Sequence, residues 1–145
     1  MNPIIDQLLE RRTHRAFTPD PIMKEHEELI KKATLRAPTA GNMMFYSVIE
    51  VSDPAKKELL ARLCDNQGMI ASAPLVWLFL SDVRKWVNYY HEGSSVSKGE
   101  AQGIAWRKPG AGDLLLAMSD AIIAAQSAVV AADSLGIGSC YIGDI

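Results

Sequence analysis

The octapeptide ERRTHRAF, Glu10 to Phe17, gathers Arg11, Arg12, Thr13, His14 and Arg15 in a chain whose net charge is −2. Guanidinium forks beside a hydroxyl suit a phosphate, because charge-assisted hydrogen bonds contribute about 1.5–3 kcal/mol each. Arg11 and Arg12 also have a plain structural explanation, since cations at the C-terminal end of a helix meet the negative end of its dipole. Arg15 lies beyond any such end. The cluster is therefore either a solvated face or part of an anion site that another segment must complete.

Two segments are candidates to complete it. In PTAGN, Pro38 to Asn42, Thr39 and Asn42 offer polar side chains on a turn whose Ala40 and Gly41 let a ligand approach the backbone; an ordinary helix-to-strand loop is the alternative. GIGSCYIGDI, from Gly136 onward, follows a long helix, so Gly136 is expected to be its left-handed cap. GIG follows a helix rather than a strand, with no second helix or distal acid after it, which excludes a dinucleotide fingerprint. GxSxG, HExxH and P-loop motifs are absent. His14, His26 and His91 lack metal spacing and are read as surface or cap residues. Cys64 and Cys140 form neither a zinc motif nor a disulfide framework. No metal site and no acid–base catalytic side chain is read.

The elements that must position these residues follow from pattern. At 145 residues, 48% hydrophobic and 22% charged, the chain has the size and balance of one soluble globular domain spanning 1–145. Its slight acidity argues against general nucleic-acid or membrane-surface binding. MNPIIDQLLERR predicts a helix with Asn2 as N-cap and Pro3 at its first position, and it lacks the features of a signal peptide. A cytoplasmic location is expected. A second helix is predicted from Ile22 to before Pro38, a buried strand over Phe45 to Val51, a helix from Asp53-Pro54 through Leu63, and a fully covered strand over Pro74 to Leu80. Ser81 to Glu92 reads as helix, and Gly93 to Gly112 as a long loop of the kind that is mobile or functional.

Asp113 to Leu135 predicts a long, buried helix with three faces. Ser119-Asp120, Gln126-Ser127 and Asp133-Ser134 form a polar stripe. Leu115, Met118, Ile122 and Val129 form a bulky face, and Ala117, Ala121, Ala124, Ala128 and Ala131 form a small one that invites close packing by a core helix or a second subunit. Asp120 and Gln126 in mid-run argue against a membrane span.

Taken in order, ERRTHRAF, RAPTAGNMMFYSVIEV, DNQGMIASAPLVWLF and DAIIAAQSAVVAADSLGIGSCYIGD resemble the nitroreductase-like flavoproteins over nearly the whole chain, except about Lys85 to Ala111. The resemblance implies an α+β fold, a mixed β-sheet covered by helices, in an intertwined homodimer with flavin mononucleotide (FMN) at the subunit interface and the alanine-faced helix at the dimer core. It implies that Arg11 holds the flavin phosphate beside Arg12 and Thr13, and that Arg15 lies near the pyrimidine edge of the ring. Pro38, Thr39, Ala40 and Asn42 would reach the flavin from the other subunit, Asn66 and Gln67 would contact its ribityl chain or ring, and Ile142 and Gly143 would lie along its face. The implied activity is hydride transfer from NAD(P)H to FMN and then, by a ping-pong mechanism, to a nitroaromatic, quinone or similar small-molecule acceptor, with Lys85 to Ala111 setting acceptor choice. A non-catalytic flavin- or nucleotide-binding or dimerisation module, or an inactive remnant, is the alternative. Met44, Phe45 and Tyr46 replace the family's usual polar residue, proline and tryptophan, which makes that wall more apolar. The family continues beyond Asp144-Ile145, so the chain is expected to be C-terminally incomplete, and Arg11 and Arg12 to carry more of the phosphate.

Overall fold

The computed structural model describes residues 2–143; Met1, Asp144 and Ile145, which includes the end of the GIGSCYIGDI segment, lie outside the described residues. Helix α1 (Pro3–Glu10) starts where its sequence signals place it, with the Asn2 side chain accepting from the Ile4 amide at 2.9 Å and proline at the first position. Helix α2 (Lys24–Leu35) follows, then a single 3-10 turn over Ala40–Asn42. Strand β1 (Tyr46–Glu50) leads to α3 (Pro54–Leu63), capped by Asp53. A one-turn α4 (Met69–Ser72) precedes strand β2 (Trp77–Ser81). Then come α5 (Arg84–Glu92), α6 (Ser95–Ala101) and the long α7 (Ala111–Ser134).

The architecture is α+β and dominated by helices. Bonds from the Val51 amide to the Val76 carbonyl and from the Asp82 amide to the Phe45 carbonyl fix β1 and β2 as an antiparallel pair. Both strands were expected to be covered, and they are not. In β1 only Tyr46 is buried, and Leu80 of β2 is exposed, because among the described residues the sheet has two strands and no third closes either edge.

The described chain groups into two compact units. Met1–Ala37, Ile49–Leu78 and Ala124–Ile145 form the first, and Pro38–Val48 with Phe79–Ile123 the second. In the first unit Ala61, Cys64 and Ile70 form a buried cluster on which Leu60, Met69, Val76 and Ile142 pack.

Two further expectations change. The predicted loop between Gly93 and Gly112 contains α6, a helix with no buried residue. Its bonds are local, beginning with the Lys98 amide on the Ser94 carbonyl, so no apolar periodicity announces it. On α7 the alanine face is the one buried: Ala117 and Ala124 are fully covered and Ala121 and Ala128 nearly so, whereas Leu115 and Ile122 on the bulky face are 64% and 62% exposed. Small side chains let the chain's own elements close on the helix; of the bulky face Leu115, Met118 and Ile122 are left outward, whereas Val129 is buried. By length and composition α7 also qualifies as a possible membrane span, with mean hydropathy 1.8. Core helices of soluble proteins share that property.

Candidate functional site

Arg11 is the C-cap of α1; its amide donates to the Gln7 carbonyl, and its φ of −52° with ψ of 129° turns the chain out of the helix. The segment then runs extended beside the C-terminal one. Thr13 and Ser139 form a parallel bridge, with the His14 amide donating to the Ser139 carbonyl at 3.0 Å. The approach is close at one point: a Cβ on Gly138 would stand 2.6 Å from Cγ of His14, so only glycine is accommodated there without displacing the imidazole. Arg11 is half-buried, and Arg12, Thr13 and Arg15 are exposed. Among the described residues none of the three guanidiniums pairs with a carboxylate.

Tyr141, which no motif or spacing singles out, belongs to the same C-terminal segment. Its hydroxyl donates to the Gln126 side-chain oxygen at 3.0 Å. Burial raises the Tyr141 phenol above its ordinary value, and the Arg11 charge offsets part of that rise. Gln7 of α1 donates to the Val130 carbonyl of α7 and so anchors the helix that presents Arg11.

Asn66 and Gln67 occupy the turn between α3 and α4. Asp65 and Asn66 both take the left-handed conformation, with φ of 54° and 55°, which Asp and Asn tolerate better than other side chains. The Gln67 carbonyl accepts from the Ile70 amide and starts α4. Because Ile142 packs on the cluster that flanks this turn, the basic segment, the C-terminal segment and the Asn66-Gln67 turn all belong to the first unit. Gly143 is exposed, with nothing within 4 Å of where a Cβ would stand.

Pro38, Thr39, Ala40 and Asn42 belong to the second unit. Their loop is held by a residue outside it. Asp120 of α7 is 2% exposed and accepts the Ala40 amide on Oδ1 at 3.1 Å and the Phe45 amide on Oδ2 at 3.0 Å. Thr39 Oγ1 accepts the Met44 amide at 3.1 Å, and Trp86 Nε1 donates to the Met43 carbonyl at 2.6 Å. Between these ties Gly41, Asn42 and Met44 have φ of 57°, 56° and 50°. A left-handed residue other than glycine costs about 1–2 kcal/mol, so the strained stretch needs those bonds. The Ala40 amide and one lone pair of Thr39 are thus committed within the protein, leaving the Thr39 hydroxyl proton and the exposed Asn42 side chain for a ligand. A carboxylate in the middle of an alanine-rich run was the sequence signal for Asp120, since a buried acid requires donors.

The second unit also holds an aromatic recess of about 260 Å³, lined by Met43, Phe45, Trp86, Tyr90 and Trp106 among others. Trp86 and Tyr90 lie 5.8 Å apart and Tyr90 and Trp106 6.2 Å apart by ring centroid. Arg107, also in the lining, is neutralised by a two-pronged pair with Asp113 at 2.7 and 2.8 Å. That pair and the Gly110 amide hold the Asp113 carboxyl well below the usual carboxylate range. The lining is therefore mostly apolar and aromatic, and the Arg107–Asp113 ion pair leaves it without net charge.

Comparison with known proteins gives these features a context. The profile described as "Nitroreductase family" matches residues 8–145. The chain is similar to the FMN reductase (NADPH) of Bacillus subtilis, 33% identical over all of this chain and 55% of that protein, and to the oxygen-insensitive NADPH nitroreductase of Salmonella typhimurium, 30% identical over all of this chain and 55% of that one. Among solved structures, nitroreductase A from Vibrio parahaemolyticus superposes with a TM-score of 0.86 at 29% identity, covering 99% of this chain and 55% of its own. The NADPH:FMN oxidoreductase from Vibrio harveyi, solved with NAD+, superposes with a TM-score of 0.84 at 28% identity over 98% and 56%. The chain thus spans about half the length of the curated relatives it matches. With the profile matched from the end of α1 onward and the fold shared across nearly every residue, the chain belongs to the nitroreductase family.

Proposed function

We propose that the chain forms the FMN-binding part of an oxidoreductase that takes hydride from NAD(P)H and delivers it to nitroaromatics, quinones or similar flat acceptors by a ping-pong mechanism. The observation that carries this reading is the Thr13–Ser139 bridge, which ties the basic segment to the C-terminal one in the same unit as Asn66 and Gln67. The residues present fit the cofactor. Arg11, Arg12 and Thr13 supply guanidinium and hydroxyl donors for a phosphate, and Arg15 supplies a fixed cation for a group that gains negative charge on reduction. Ile142 offers an apolar wall and Gly143 an unobstructed backbone. When bound, FMN supplies the redox chemistry, so the protein's own task is to hold, orient and polarise it.

The aromatic recess supports the acceptor class. Its volume, about 260 Å³, lies just under the usual range for drug-sized ligands of roughly 300–1,000 Å³, which favours a one- or two-ring molecule. Electron-rich indole and phenol rings stack well on electron-poor nitroaromatics and quinones, and a neutralised Arg107 does not demand an anion. A homodimer fits the outward Leu115, Met118 and Ile122 of α7, which a second copy would cover.

An absorbance scan of the purified protein after incubation with FMN tests the reading. The expected result is bound flavin that bleaches with NAD(P)H and recovers with a quinone. A protein that takes up no flavin would sink it, and bound flavin that never bleaches would leave a binding module instead.

A further inference from the structure

We infer that Asp120 is the positioning residue for the flavin-facing loop: its carboxylate clamps the Ala40 and Phe45 amides and so holds Thr39 to Phe45 in the shape it presents to FMN. This rests on the flavin-binding reading for its second half only. The geometry for the first half is already described, with both oxygens of one nearly inaccessible carboxylate used on amides five residues apart. No packing requirement calls for an acid here. The neighbours Ala117, Ala121 and Ala124 are buried alanines, and a small apolar side chain would continue their face.

The loop, by contrast, requires the acid. Three of its residues have positive φ and two of them are not glycine, so the backbone would relax if its ends were released. The other ties act from within the loop, on its middle or on one end alone, through Thr39 to Met44, through Trp86 to Met43 and through the Asp82 amide to the Phe45 carbonyl. Among the described residues, Asp120 is the one side chain from another element that takes both flanks of the strained stretch, Ala40 and Phe45. Releasing it moves Thr39 and Asn42, the two loop side chains still free to meet a ligand.

Asp120→Asn is the informative change. The amide keeps the shape but turns an N–H group toward one of the two backbone amides, so one bond is lost and two donors face each other. Two quantities are to be measured on the full chain: FMN affinity by fluorescence titration, and hydrogen exchange at each backbone amide. The expected result is exchange at Ala40 and Phe45 accelerated at least tenfold, unchanged exchange at His14, and FMN binding weakened at least tenfold. Adding Met44→Gly, which occupies positive φ without strain, should recover most of that affinity, a rescue that general destabilisation would not give. If Asp120→Asn alone does not fold, the double variant is compared with Met44→Gly alone, and exchange at Ala40 and Phe45 must still be faster in the double variant.

Unchanged exchange at both amides overturns the inference. So does accelerated exchange with wild-type FMN affinity. Failure of the functional reading looks different: the wild-type chain takes up no FMN while the two amides are still loosened by Asp120→Asn, which removes the flavin role and leaves only the clamp.

Discussion

Arg11 does two jobs at once, ending α1 through its amide and offering its guanidinium to the corner that Tyr141 and Ser139 complete. Replacing it with alanine leaves the backbone bond in place and removes only the fork. FMN affinity should fall by about 1.5–3 kcal/mol, read as a shift in Kd, and an unchanged Kd would return Arg11 to a role at the helix end. A second prediction concerns pH. The Ser47 hydroxyl bonded to Asp82, with help from the Lys85 amide and ammonium, holds the Asp82 carboxyl below its ordinary value despite partial burial. A carboxylate depressed in the folded state contributes stability that is present above its unfolded pKa of about 3.9 and is lost as pH falls through the folded value. The difference in urea midpoint between wild type and Ser47→Ala should therefore be largest near neutrality and shrink in acid. A difference that persisted below the folded pKa would mean that Ser47 acts by packing alone.

The informative elements are the loop around PTAGN and helix α7. PTAGN was legible as turn chemistry, because proline, glycine and asparagine declare it. Its tie to Asp120 was not, since a hydrogen bond across eighty positions leaves no local pattern. Helix α7 was legible in extent and in its three faces, yet which face turns inward was not. Periodicity separates faces without saying which neighbour each will meet. Ala117 decides the matter experimentally: it is fully covered, so Ala117→Leu overpacks the face and should cost about 1–3 kcal/mol or more, seen as a lowered thermal midpoint. A neutral effect would mean that the alanine face is not tightly packed in solution. Helix α6 marks a different limit, a helix made by local bonds with no buried side to give it away.

For the whole molecule, the outward Leu115, Met118 and Ile122 of α7 and the exposed apolar side of α1, with Ile4 at 62% and Leu9 at 73% exposed, are surfaces that a second copy could cover. If a second copy covers α7, Ile122→Asp should abolish self-association in sedimentation equilibrium, because it buries an unpaired charge in the interface. It should change the stability of the isolated chain little, since Ile122 already faces out. A variant that still forms dimers with wild-type affinity would move the interface elsewhere.

The sequence by itself determined the capped start of α1, the left-handed Gly136 with φ of 75°, and the four segments whose order resembles the nitroreductase family, a resemblance that in turn implied the α+β class. Those are properties of local chemistry: caps, turns, periodicity and motif spacing depend on residues near one another in the chain. Tertiary structure alone decided that the ERRTHRAF segment lies along Ser139, that Gly138 makes room for His14, that Asp120 closes the PTAGN loop, and that alanines rather than leucines face inward on α7. Each of these joins residues far apart in sequence, where the gain comes from burying one particular surface or satisfying one particular donor, and only the folded chain specifies which.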